Sequence, residues 1–190
     1  MGLIINWLGL LLWSALLPAI LPALPALAEG MSVPPALFLQ AQGKFLLILH
    51  ALMAVLLLGS LTHNVLISVN YLRGKFTKIR LEKRYVKVGF VAYLLTFGLG
   101  ALIYPNYRYH VRALYFDLKM PWASNLFDIK EHWAGIGLAL FAAFFLLSRT
   151  IDPRTDRRML LFYVFLSATL AGIVWFGVIA GLLLVSYRSI

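Results

Sequence analysis

Residues 45–72 read FLLILHALMAVLLLGSLTHNVLISVNYL. As a helix at 1.5 Å per residue this stretch is longer than the roughly 30 Å hydrocarbon core of a bilayer. It holds no Asp, Glu, Lys or Arg, yet it carries two of the chain's four histidines, His50 and His63. An ionisable side chain inside a membrane helix is expensive, so each histidine marks a candidate functional site.

The rest of the chain follows the same plan. Of its 190 residues, 62% are hydrophobic and 13% charged, in long apolar runs separated by short basic segments. That pattern specifies an all-α integral membrane helical bundle. In lipid each helix must satisfy its own backbone, and helices then pack through small residues. Four crossings are expected, at 45–72, about 88–104, about 132–148 and about 159–187. Together they make residues 45–190 one transmembrane bundle. Pro105 is expected to stop the second helix. Residues 106–131 then read as a long connection, too polar to span, with Tyr107, Tyr109, Tyr115, Phe116 and Trp122 suited to the membrane interface. Gly177 and Gly181 have the small-xxx-small spacing of close helix packing.

Residues 1–28 have two readings. Ala26-Leu27-Ala28 before Glu29 has the form of a signal-peptide cleavage site. Against this, no Lys or Arg precedes the apolar run, and the run is long. The alternative is a retained helix distorted by Pro18, Pro22 and Pro25, a candidate fifth crossing at the N-terminus. Residues 29–44 form a polar outer linker.

The net charge of +10 is a matter of topology. Residues 73–87 carry seven Lys or Arg and 149–158 carry four, whereas the longer 105–131 carries four, offset by Asp117, Asp128 and Glu131. By the positive-inside rule 73–87 and 149–158 are cytoplasmic, and 105–131 and the C-terminus lie outside. Basic ends meet anionic headgroups, so membrane lipid is an expected partner. No phosphate-binding glycine loop, zinc-finger spacing or RNA-binding signature points to nucleic acid. The chain has no cysteine. That excludes disulfides, thiolate-held iron–sulfur clusters, covalent haem attachment and a cysteine nucleophile, and leaves histidine as the strong nitrogen ligand.

His50 lies about 8 Å below the outer end of its helix, and His132 opens the next outer-to-inner crossing. Two imidazoles at one level on different helices can clamp a haem iron. Ala51, Ala54, Gly98, Gly100, Gly135 and Gly137 would give a porphyrin space. Arg108, Arg112 and Lys130 could pair with its propionates. The plainer alternative has His50 hydrogen-bonded inside the bundle, His132 wetted at the interface, and the arginines on headgroups. His63 is thirteen residues from His50, which puts it about 20 Å deeper and roughly 220° around the helix. With Ser60, Thr62 and Asn64 it reads as part of a polar cluster satisfied within the bundle.

Two histidines thirteen apart on one membrane helix, with His132 on another, resemble the small b-type cytochromes of bacterial membranes. The resemblance is one of architecture and ligand type over residues 44–187. It implies a multi-pass subunit of the bacterial inner membrane with one haem b held by His50 and His132. It implies electron transfer with quinol or other subunits of a redox complex, rather than a self-sufficient enzyme. Members with two haems need two histidine pairs, and this chain can form one.

Other readings are a Zn or Cu site on His50, His110 and His132 with Glu131 or Asp128, and a cofactor-free accessory subunit of a respiratory or photosynthetic assembly. Tyr104, Tyr107 and His110 form a candidate quinone zone. No nucleophile elbow or paired intramembrane carboxylates suggest hydrolysis.

Overall fold

The computed structural model describes residues 37–190. The two readings of 1–28, and of the linker as far as residue 36, lie outside the described residues.

A short 3₁₀ turn, Gln40–Gln42, leads into α1, Gly43–Leu72. The other long helices are α2, Ile79–Asn106, α3, Pro121–Thr150, and α4, Arg157–Tyr187. All four are long and apolar enough to cross a membrane. They form an up-and-down ring in which α1 packs on α2 and α4, and α3 also packs on α2 and α4. One end of the bundle gathers Gly43, Asn106 and Ile190. The other carries the short connections 73–78, with three basic residues, and 151–156, flanked by Arg149 and Arg157.

The interior follows from a 4,3 spacing. On α1 the stripe is His50, Ala54, Leu57, Leu61, Asn64, Ser68 and Tyr71, buried from Leu57 onward. On α2 it is Glu82, Val86, Gly89, Tyr93, Thr96, Gly100 and Ile103, and on α3 Ala123, Phe127, Lys130, Ala134, Gly137, Phe141, Phe144 and Ser148. A mean step of 3.5 keeps each stripe on its partners along the whole helix, as in left-handed bundles. Leu57, Leu61, Tyr93, Phe141, Leu170 and Val174 meet in the central core. Phe141 packs edge-on to both Phe90 and Tyr93.

Helix ends have local causes. Gly74, at φ 71°, lets the Lys75 amide bond the Asn70 carbonyl at 3.0 Å and its own amide bond Tyr71 at 2.9 Å. These two bonds close α1 in a Schellman turn, which needs the left-handed conformation that glycine adopts without strain. Between α2 and α3 only Met120 leaves helical geometry, at φ −144° and ψ 65°. The ring of Pro121 forbids helical ψ at the residue before it, while proline itself suits the first turn of α3.

The expected long outer connection is a helical hairpin instead. Pro105 lies inside α2 and does not stop it. The chain continues as a π-helix, Tyr107–Phe116, and a last turn, Asp117–Lys119. Proline removes one amide donor and crowds the carbonyl four residues back, and the wider i→i+5 winding that follows accommodates both. Asn106, Val111 and Phe116 are buried at intervals of five, as that winding requires. The third helix begins at Pro121, well before the expected 132. It meets the π-helix through a cluster of Val111, Phe116, Ala123, Phe127 and Leu184. α2 likewise starts at Ile79, because the basic segment 79–87 is helical.

The glycine pair of α4 does not bring two backbones together. A Cβ at Gly177 would meet nothing within 4 Å, and one at Gly181 would meet only the Lys130 stem, at 3.7 Å.

Candidate functional site

The half of the bundle interior toward the end formed by Gly43, Asn106 and Ile190 holds an imidazole and an ammonium group in one layer. His50 projects from α1 against α2, where its Nδ1 lies 2.9 Å from the Thr96 carbonyl. A carbonyl only accepts, so Nδ1 carries the proton and donates, and Nε2 keeps a free lone pair. The ring has room because Gly100 faces it: a Cβ there would lie 3.3 Å from Cε1. From α3, Lys130 turns inward over the Phe127 ring and against Gly181. Its Nζ pairs with Glu131 at 3.2 Å, and the charges of both reach His50 electrostatically. Histidine and lysine thus each stand opposite a glycine, on four different helices.

His132 sits at a similar depth but outside this layer. It is exposed, two residues from Lys130 and so about 200° around α3 from the inward stripe. Its Nδ1 lies 2.6 Å from the Asp128 carbonyl of its own helix. No hydrogen bond joins it to His50, and the helices that carry the two lie across the ring from each other. His110, on the π-helix, is 3.2 Å from Gln40 Nε2. Among the described residues no three His, Asp or Glu side chains come together as a metal site.

The proposed propionate cations divide. Arg112 is a clamp within the outer hairpin: its guanidinium donates to both oxygens of Asp128, at 2.6 and 2.9 Å, and lies 3.5 Å from Asp117. Ser124 donates to Asp117 at 2.5 Å and closes the network. Arg108 is exposed and lines, with Tyr104, Arg112, Ala113 and Asp117, an open cleft of ≈ 380 Å³. The candidate quinone zone divides too. Tyr104 borders this cleft, Tyr107 is stacked on Phe127 with ring centroids 4.0 Å apart, and His110 faces Gln40.

A second polar cluster lies in the other half of the interior, around the one acid among the basic residues of 73–87. Glu82 of α2 is fully buried. Its Oε1 accepts from Asn64 Nδ2 of α1 at 2.7 Å and from the Tyr163 hydroxyl of α4 at 2.5 Å. Ser167 of α4 donates to Asn64 Oδ1 at 2.5 Å, and Ser68 to the Asn64 carbonyl at 2.8 Å. His63 is not a member. It is exposed, bonded to the Gly59 carbonyl, and stacked on Tyr85 at 5.3 Å between centroids. The signal for Glu82 was available: the α2 stripe, stepped back from Tyr93 through Gly89 and Val86, arrives at residue 82.

Comparisons with protein-family models, with curated proteins and with solved structures find no match for this chain.

Proposed function

We propose that this chain is a membrane subunit of a redox assembly and holds one haem b in the outer half of its bundle on His50. The observation that carries the reading is the layer around His50, whose Nδ1 is tied to Thr96, whose Cε1 edge lies against Gly100, and whose Nε2 makes no hydrogen bond among the described residues. An imidazole fixed through one nitrogen by a carbonyl is the arrangement metal-ligating histidines use, because the bond sets the tautomer and aims the other nitrogen. Haem supplies one-electron chemistry when bound. The chain's part is to present Nε2, to place the Lys130 cation near, and to keep water from the interior. Electrons would pass to quinol or to neighbouring subunits.

The fit is one-sided. His50 and Lys130 suit the group; His132 faces away from it, and Arg112 is held by Asp128. These two orientations favour a second reading, a cofactor-free accessory subunit of a respiratory or photosynthetic assembly. In both readings the protein is a multi-pass protein of the bacterial inner membrane, with 73–78 and 151–156 in the cytoplasm. What supports that orientation is the positive-inside rule, together with a basic cleft of ≈ 480 Å³ at this end. Lys78, Arg80, Arg84 and Arg154 line it, suited to anionic headgroups.

The test is a dithionite-reduced minus air-oxidised spectrum of the protein purified from native membranes, with His50→Ala and His132→Ala beside it. The expected result is a b-type spectrum that vanishes in His50→Ala and survives unchanged in His132→Ala. Loss in both variants would mean that α3 turns His132 inward when haem binds. A folded protein without haem bands leaves the accessory subunit as the function.

A further inference from the structure

The Glu82 cluster leaves two polar atoms unanswered. Glu82 Oε2 is buried with no hydrogen-bond partner, and so is the hydroxyl of Tyr71. Tyr71 is 1% exposed, lies on the α1 stripe, and packs in one cluster with Ile79, one turn before Glu82 on α2. All the donors of the network, Ser167 to Asn64, then Asn64 and Tyr163 to Glu82, point toward Oε1. A carboxylate here would keep its second oxygen bare in a low-dielectric interior, where an uncompensated charge costs several kcal/mol. A proton on Oε2 removes the charge and converts a bare acceptor into a donor, and the Tyr71 hydroxyl is a buried group at this end of the bundle that lacks a partner of its own.

We propose that Glu82 is a reversible proton-binding site of the membrane interior, with Tyr71 as its hydrogen-bond partner when the acid is formed. The site lies near the end of the bundle that carries the connection 73–78. Glu82 lies in the first turn of α2, one turn from the connection 73–78, and Lys83 beside it is the nearest charge on its own helix. The groups facing it are Asn64, Ser68 and Tyr71 from α1 and Tyr163 and Ser167 from α4. From α3 comes Phe144, packed on Tyr163. Apart from the two tyrosines none of these titrates, so a proton gained or lost by Glu82 meets no compensating acid or base in the cluster. Such a site takes up or releases one proton at this end of the bundle, whether or not haem is bound at the other.

Infrared difference spectroscopy of the full chain in lipid vesicles tests this without any reagent having to reach the site. Spectra are recorded from acidic to alkaline pH for wild type, Glu82→Gln and Tyr71→Phe, with helicity checked by circular dichroism. The expected result is a buried carboxylic-acid carbonyl band, shifted in D₂O, that fades as pH rises and is missing in Glu82→Gln. In Tyr71→Phe, which keeps the acid and removes its partner, the band should move in frequency and in midpoint. A Glu82 signal that is carboxylate at every pH overturns the proposal, as does an acid band that never titrates. Carboxylate bands that respond to Na⁺ but not to K⁺ or pH would make it a sodium site and equally overturn it. If Glu82→Gln does not fold, the Tyr71→Phe shift alone decides.

Discussion

Asn64→Ala cuts the bundle at its most connected residue. Asn64 is wholly buried and joins three helices, donating to Glu82 of α2 at 2.7 Å and accepting from Ser167 of α4 at 2.5 Å. Its loss removes both bonds and leaves the Ser167 hydroxyl with no acceptor. Interhelical hydrogen bonds in membrane proteins average about 0.6 kcal/mol and reach about 1.7. Two of them therefore predict a loss of about 1–3 kcal/mol, with a small cavity adding to it. Ser167→Ala removes one bond and should cost about half as much. The pair should couple: the double variant should fall short of the sum of the singles by about 0.6–1.7 kcal/mol, the worth of the one shared bond. The assay is reversible unfolding in mixed micelles titrated with SDS, followed by helical circular dichroism. His63→Ala, one residue away but exposed, is the control, and it should stay within about 0.5 kcal/mol of wild type. If Asn64→Ala matched His63→Ala, or the double variant were additive, the interior cluster would not exist as described.

Gly137→Ala should be destabilising by about 1–3 kcal/mol, because its new Cβ would collide with the Tyr93 hydroxyl and lie 3.1 Å from Ile173 Cγ2. Adding Tyr93→Phe, which removes that hydroxyl and its 2.8 Å bond to the Ala134 carbonyl, should recover part of the loss in the same unfolding assay. Arg112→Ala and Asp128→Ala should each weaken the outer hairpin and be non-additive together. The pair is partly exposed, at 25% and 42% of the side chains, so the coupling should be no more than about 1 kcal/mol. Limited proteolysis near Met120 would read it. Gly74→Ala should cost about 1–2 kcal/mol, since φ of 71° is strained for any residue with a Cβ. Hydrogen exchange should show the loss first in the last turn of α1.

Apolar length made the membrane bundle legible. The ends of α1 and α4 fall within two residues of expectation, because Lys44, Gly74 and the charged turn before Arg157 bracket runs with no internal punctuation. The outer hairpin was illegible for a definite reason. Its winding is not 3.6 residues per turn, so a period-3.6 reading sees scattered aromatics and charges where Asn106, Val111 and Phe116 form a face. Pro105 looked like a terminator because proline usually is one, and the π-helix absorbs it here. Depth along a helix was also easier to read than direction. The reasoning that turned His63 away from His50 agrees with its exposure, but the same test was not applied to His132, where the inward stripe runs through Lys130 and Ala134. Glu82 was hidden by its company: seven basic residues in 73–87 describe a membrane edge, and that pattern conceals a single inward acid.

The two interior polar layers bear on whether the proposed haem site and Glu82 could act together. His50 and Asn64 share one stripe and are fourteen residues apart, about 21 Å along α1. Between them the stripe carries Ala54, Leu57 and Leu61, and across the bundle stand Phe141, Leu170 and Val174, all in one apolar cluster with Leu57 and Leu61. The hydroxyls in this zone do not join its ends: Tyr93 donates to the Ala134 carbonyl, Thr96 to the Ala92 carbonyl and Thr62 to the Leu58 carbonyl, and among the described residues no hydrogen bond links Ser60 to any of them. A proton relay needs donors that are also acceptors in unbroken sequence, and here the sequence breaks at the centre. Each layer must then exchange with its own end of the bundle. Under the proposed function, an oxidation at the His50 layer would reach Glu82 only through the electric field or through a shift of α1, not along a chain of hydrogen bonds. Replacing Leu57 or Leu61 with serine should therefore leave the Glu82 infrared titration where it is. A midpoint that moved on adding this single hydroxyl would show that the two layers lie within one donor of each other, and would overturn the break argued here.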